Sequence, residues 1–158
     1  MNTNEHFALD TPRLRLIPQA TSLLDWADRI PSSILGLIIR VGIALVFWRS
    51  GQTKVDGWHV TDSAVQLFRD EYKLPLLPPE TAATLAAVQE HLFSALLIVG
   101  LASRLSALGL LAMTAVIEIF VYPENWPEHL LWTGPLLYII ARGPGAFSVD
   151  ELIRRRFR

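Results

Sequence analysis

The chain has 158 residues, 51% of them hydrophobic and 18% charged, with a formal net charge of −1 and no cysteine. That length suits one domain, and the near-neutral balance gives no global basic field that would recruit nucleic acid. The missing cysteine excludes disulfides, thiol catalysis and cysteine-ligated clusters. Soluble proteins carry about 25% charged residues; here the apolar residues gather in four runs, which predicts a protein of the lipid bilayer.

Residues 1–31 are too polar for a secretory signal peptide. Within them "LLDWADRI" places Leu23, Trp26, Ala27 and Ile30 on one helical face before Pro31, which predicts a helix lying in the membrane interface. The first apolar run follows at 33–48, with Arg40 near its centre. Residues 50–80 form a long loop in which Ala64, Leu67, Phe68 and Tyr72 make a second amphipathic stripe. The remaining runs are 81–101, 105–122 and 129–141, the last broken by Gly134 and Pro135.

A bilayer core needs roughly 20 helical residues. The second and third runs meet that, the first does so if it extends to Arg49 or Ser50, and the fourth must borrow Trp126 to Glu128 and Arg142. A re-entrant or buried helix is the alternative for the fourth. The expected fold is therefore all-α: an integral membrane four-helix bundle (32–143) with interfacial amphipathic helices before and after the first span. A basic tail, 144–158, follows. Basic residues concentrate on the side shared by both termini, which the positive-inside rule assigns to the cytoplasm.

Four ionisable residues fall inside the runs: Arg40, Glu90, His91 and Glu118. Each such charge costs about 2.5–3.5 kcal/mol in lipid unless it faces protein and finds a partner. Depth from the helical rise of about 1.5 Å per residue sets Arg40 and Glu90 level, so the sequence predicts an Arg40–Glu90 pair with Glu118 in reach. That pair has two readings: a clip that fixes helix register, or a polar strip for a quinone headgroup, protons or an anion. Glu90 and His91 are adjacent and diverge by about 100° on a helix, so they make poor metal co-ligands. His59, Glu124, Glu128 and His129 are weak metal candidates at the outer mouth, with hydrogen bonding in an interfacial tryptophan belt as their ordinary role. A haem between His91 and His129 is disfavoured by their different depths.

The order "RVGIALVFWRSGQTK", "EHLFSALLIVGLASRLSAL", "ARGPGAFSVDELI" resembles the DoxX family of small four-helix bacterial membrane proteins. Arg40, Gly51, Lys54, Glu90, Gly100, Leu101, Arg104, Gly143, Gly145 and Asp150 carry the likeness. The resemblance implies a bacterial inner-membrane protein with a part in redox or oxidative-stress complexes. Relatives are linked to thiosulfate:quinone oxidoreductase and to an assembly with superoxide dismutase and a sulfurtransferase. Members with a similar long loop occur beside genes for metal-binding peptides. It transfers no catalytic residue, but it adds Lys54 to the intrabundle site of Arg40, Glu90, His91 and Glu118. The leading expectation is an accessory membrane subunit of a redox or metal-stress system, acting with other membrane or peripheral proteins; self-association stays open. The alternatives are a quinone-linked oxidoreductase subunit and a small transporter or export partner using the same strip.

Overall fold

The computed structural model describes residues 29–157. The sequence-predicted surface helix around Trp26 lies mostly outside them. Residues 32–158 form one compact unit. Helix α1, Ser32–Gln52, follows Pro31, which cannot continue a helix backwards from its own nitrogen. A short antiparallel hairpin, β1 Val55–Asp56 and β2 His59–Val60, turns at Gly57. Helix α2, Asp62–Leu67, is capped by the Thr61 hydroxyl and widens into a π turn at Phe68–Tyr72 that ends on left-handed Lys73. Its stripe points inward as its spacing requires: Ala64 and Phe68 are buried, and Phe68 packs with Ala82 and Ala83 of the next helix.

That helix, α3, spans Pro79–Val99, with proline in its first turn, where a missing N–H costs nothing. It stops at Gly100, whose φ of 78° lets its N–H fold back onto Leu96 and Leu97 carbonyls. Helix α4, Ser103–Val116, continues as a second π turn, Ile117–Val121. A 3₁₀ turn at Pro123–Asn125 leads to α5, Trp126–Arg142, and α6 occupies Val149–Arg156.

α1 packs on α3, α3 on α4, α4 on α5, and α5 returns to α1, which closes a four-helix bundle. Its packing is inverted relative to a soluble protein. The inner stripe of α3 is Ala83, Ala87, Glu90, Ser94 and Leu97, mostly small side chains that let helices approach, while Val88, Leu92 and Val99 face outward. Bulky exposed residues also coat α1, α4 and α5, including Ile38, Leu105, Ile119 and Leu131. Helices that are apolar on all faces belong in lipid. α1, α3 and α4 with its π turn are each long and apolar enough to cross a membrane. α5 takes in Trp126 to Glu128 and Arg142, yet its 17 residues reach only about 26 Å. It is the short member of the bundle.

The described part of 144–158 is packed rather than trailing. Asp150 N–H donates to Gly100 O (2.9 Å), and both Asp150 carboxylate oxygens accept from the N–H groups of Ala102 and Ser103 (2.8 and 2.9 Å). A residue near the chain end thereby caps the start of α4. Two ends of the bundle can be distinguished: an arginine-rich end at the α3–α4 turn and α6, and a hairpin end at β1–β2, α2 and the 3₁₀ turn.

Candidate functional site

Arg40 and Glu90 do not meet, which corrects the pairing expected from depth. Arg40 is 1% exposed and donates to three backbone carbonyls, Leu97 (2.5 Å), Ile98 (3.1 Å) and Phe147 (2.6 Å). The last four carbonyls of a helix have no partner in that helix and carry its negative dipole end. The long arginine side chain reaches along the bundle to that end of α3. Gly100 must be glycine for this: an added Cβ would stand 2.3 Å from Arg40 Nη1 and 2.6 Å from Ser148 Cβ. Rise per residue explains the error, because it measures where a Cα sits and not where a six-atom side chain ends.

Glu90 instead pairs with Lys54, the residue that the family likeness added. Lys54 Nζ lies 2.8 Å from Glu90 Oε2 and 3.0 Å from Oε1, and it also donates to Ser50 O (3.2 Å) and Oγ (3.1 Å). Ser50 Oγ donates to Glu90 Oε1 at 3.0 Å. The two charged residues are 6% and 3% exposed, so this is a buried ion pair with its remaining donors satisfied. Gly51 allows it: a Cβ there would lie 2.8 Å from the His91 ring and 3.1 Å from Glu90 Cβ, so α1 and α3 touch closely at this level.

His91 diverges from Glu90 as adjacent helical positions must. It contacts Gln52 (2.9 Å) and Ala87 O (2.7 Å) and lies edge-on to Trp48. Glu118, in the π turn of α4, holds His129 Nδ1 of α5 at 2.5 Å. The polar strip expected from sequence is thus three groupings, and a layer of Ile43, Ala44, Leu97, Leu110, Leu136 and Ile139 is the bundle's apolar core. Of the weak metal candidates, His59, Glu124 and Glu128 are exposed, whereas His129 is buried against Glu118. Among the described residues no three His, Asp or Glu side chains gather as a metal site would need.

Lys54, Glu90 and His129 share the wall of one cavity of about 590 Å³ at the hairpin end, which falls within the usual size range of small-molecule sites. Its other walls are largely apolar and aromatic, with Phe47, Phe93, Met113 and Trp132 among them. Phe47 and His129 both pack against the Trp132 ring. Tyr72 and Tyr122 line it with their rings edge to face, 5.6 Å apart. Burial raises the Tyr72 hydroxyl above the ordinary phenol range, and the hydrogen bond that Tyr122 donates to Glu71 raises that of Tyr122. Both stay protonated donors at neutral pH. Ser50, Tyr72 and Tyr122 are not among the sequence-predicted site residues; of the three only Tyr72 carries a sequence signal, the stripe on α2, whose spacing fits a helix lying on the membrane or on the bundle.

An ammonium held on a carboxylate at the wall of a largely apolar cavity can do two things. The ammonium offers hydrogen bonds and charge to a carbonyl or oxyanion, and the carboxylate accepts from a hydroxyl. The aromatic walls suit a flat ring.

An uncharacterized protein of Haemophilus influenzae is 28% identical over 138 residues, covering 80% of this chain and 87% of its own length. No solved structure gives a significant match. The DoxX family profile matches residues 35–123, more than half of the chain, and spans Arg40, Gly51, Lys54, Glu90, Gly100 and Arg104. The two contact networks built on those residues, at opposite ends of one membrane bundle, are therefore those of a protein that belongs to the DoxX family.

Proposed function

We propose that this protein is an accessory membrane subunit of a redox or metal- and oxidative-stress system, and that its bundle holds an amphiphilic ring compound of the quinone class at the Lys54–Glu90 pair. The observation that carries the reading is the placement of that pair. A buried ion pair is often no more stabilising than apolar side chains of the same size, and ionisable residues inside a membrane mark functional sites by default. Here the pair faces a ligand-sized space rather than packed protein. A quinone suits it: the ring and tail match the apolar walls, and a carbonyl oxygen accepts from Lys54. The apolar layer between this cavity and Arg40 supports binding over passage through the bundle. Both termini are assigned to the cytoplasmic side of a bacterial inner membrane, because the arginines of 104, 142 and 154–156 share one end.

The test uses full-length protein in neutral nanodiscs, titrated with a short-chain benzoquinone and followed by quenching of Trp132 in a variant whose other tryptophans are replaced by phenylalanine. Saturable quenching that weakens about tenfold or more in Lys54→Met, the scale of one lost charge-assisted hydrogen bond, is the expected result. Equal quenching in wild type and variant would overturn the site. A reporter fused after Arg158 should read cytoplasmic, and one near Asn125 external.

A further inference from the structure

The arginine-rich end carries a second cavity, of about 560 Å³, between the start of α4, the turn at 143–146 and α6. Four arginines line it, Arg104, Arg142, Arg154 and Arg155, against two carboxylates, Asp150 and Glu151. The carboxylates are already committed. Asp150 caps α4 with both oxygens, and Glu151 binds Arg154 and Arg155 at 2.6 and 2.8 Å, which holds its pKa below the usual carboxylate range. Among the described residues Arg104 makes only one long hydrogen bond, 3.4 Å to Ala141 O. Among the described residues Arg142 donates to no other group.

An independent observation points to a ligand. Ser103 lines this cavity and is fully buried, yet its hydroxyl has no hydrogen-bond partner among the described residues. Buried hydroxyls are rarely left so. The cavity therefore combines guanidinium forks, a net formal charge of two positive and an unmet hydroxyl donor. That set matches a tetrahedral oxyanion with several acceptor oxygens, since planar guanidinium groups bind phosphate by paired hydrogen bonds.

We propose that this cavity binds a phosphate group, carried by an anionic lipid headgroup or free in solution. The site is separate from the Lys54–Glu90 cavity and does not depend on what that cavity holds. Arginines that served only to set membrane orientation would act by net charge, without a fixed partner and without regard to the cavity. The two cases separate experimentally.

Full-length protein is delipidated in a neutral detergent, and two probes are titrated: phosphatidylglycerol against a phosphatidylcholine background, and inorganic phosphate. Binding is read by native mass spectrometry for the lipid and by thermal shift for phosphate. The variant pair Arg104→Lys and Arg142→Lys together keeps charge and solubility but removes the forks. Arg156→Gln removes one charge from α6 outside the cavity. The expected result is that at least one probe saturates, that the lysine double variant binds it about tenfold more weakly, and that Arg156→Gln changes binding less than about twofold. Ser103→Ala should weaken binding several-fold without lowering the probe-free unfolding midpoint. Lipid binding that survives millimolar phosphate identifies a headgroup site; binding of phosphate alone identifies a soluble ligand. The proposal falls if neither probe saturates, or if Arg156→Gln weakens binding as much as the lysine double variant. It also falls if the lysine variant folds with an unchanged midpoint and binds like wild type.

Discussion

Replacing Arg40 by methionine tests the division of the bundle into two ends. The substitution removes a donor from three carbonyls, at 2.5, 3.1 and 2.6 Å. Leu97 O keeps the N–H of Gly100 at 3.1 Å, whereas Ile98 O and Phe147 O lose the guanidinium. At about 1.5–3 kcal/mol for each hydrogen bond to a charged group, the two bonds lost at these part-buried carbonyls amount to roughly 3–6 kcal/mol. Relief from burying a guanidinium offsets part of it, so a cost of about 3 kcal/mol is expected. Reversible unfolding in mixed micelles measures this directly. A double-mutant cycle with Glu90→Gln supplies the sharper number. Arg40 binds at the level of Leu97, seven residues and about 10 Å along the axis from Glu90, and the two share no partner. Their costs should add within about 0.5 kcal/mol. A coupling above about 1 kcal/mol would show that the two side chains interact, and the two-ended description would be wrong.

Three further outcomes are expected. Lys54→Ala strands a buried carboxylate and should cost about 3–5 kcal/mol in the same unfolding assay, while Lys54→Met with Glu90→Leu should recover most of that and still fail to bind quinone. Gly51→Ala drives a methyl into the His91 ring at 2.8 Å and should cost about 1–3 kcal/mol, with His91→Ala restoring stability because it vacates the space. Asp150→Asn leaves one carbonyl oxygen where two carboxylate oxygens cap α4, so hydrogen exchange at the Ala102 or Ser103 amide should accelerate several-fold, as loss of about 1 kcal/mol of capping implies.

Much of the architecture is legible in the sequence because its causes are local. Four apolar runs, proline at Pro79 and Pro123, and Gly100 after the last turn of α3 mark the helices and their ends. The stripe on α2 falls at helical spacing, which fits a cover of either lipid or bundle, and Phe68 packs on Ala82 and Ala83 of α3. Partner choice was not legible. Arg40 could pair with a carboxylate or with the orphan carbonyls of a helix end, and composition does not rank these. The decision lies in Phe147, 107 residues away, and in the missing Cβ of Gly100. Lys54 sits just past the first run and reads as a loop lysine until the chain turns it back onto Glu90. The cavity is invisible from sequence for the same reason: Tyr72, Trp132 and Glu90 come from three separate helices.

The contacts of Arg40 also set a timetable. During synthesis α1 emerges long before its partners: Leu97 follows 57 residues later and Phe147 follows 107 residues later. At about 5–20 residues per second, the guanidinium waits on the order of 5–20 s for its last acceptor. Over that interval α1 is an apolar helix with an unmet cation, which lipid rejects and an aqueous interface accepts. The first helix of the bundle is therefore among the last to be secured, and the segment around Phe147 acts as the latch. A chain stopped at Arg142 should extract from membranes at alkaline pH more readily than the full chain, even though all four bundle helices are present.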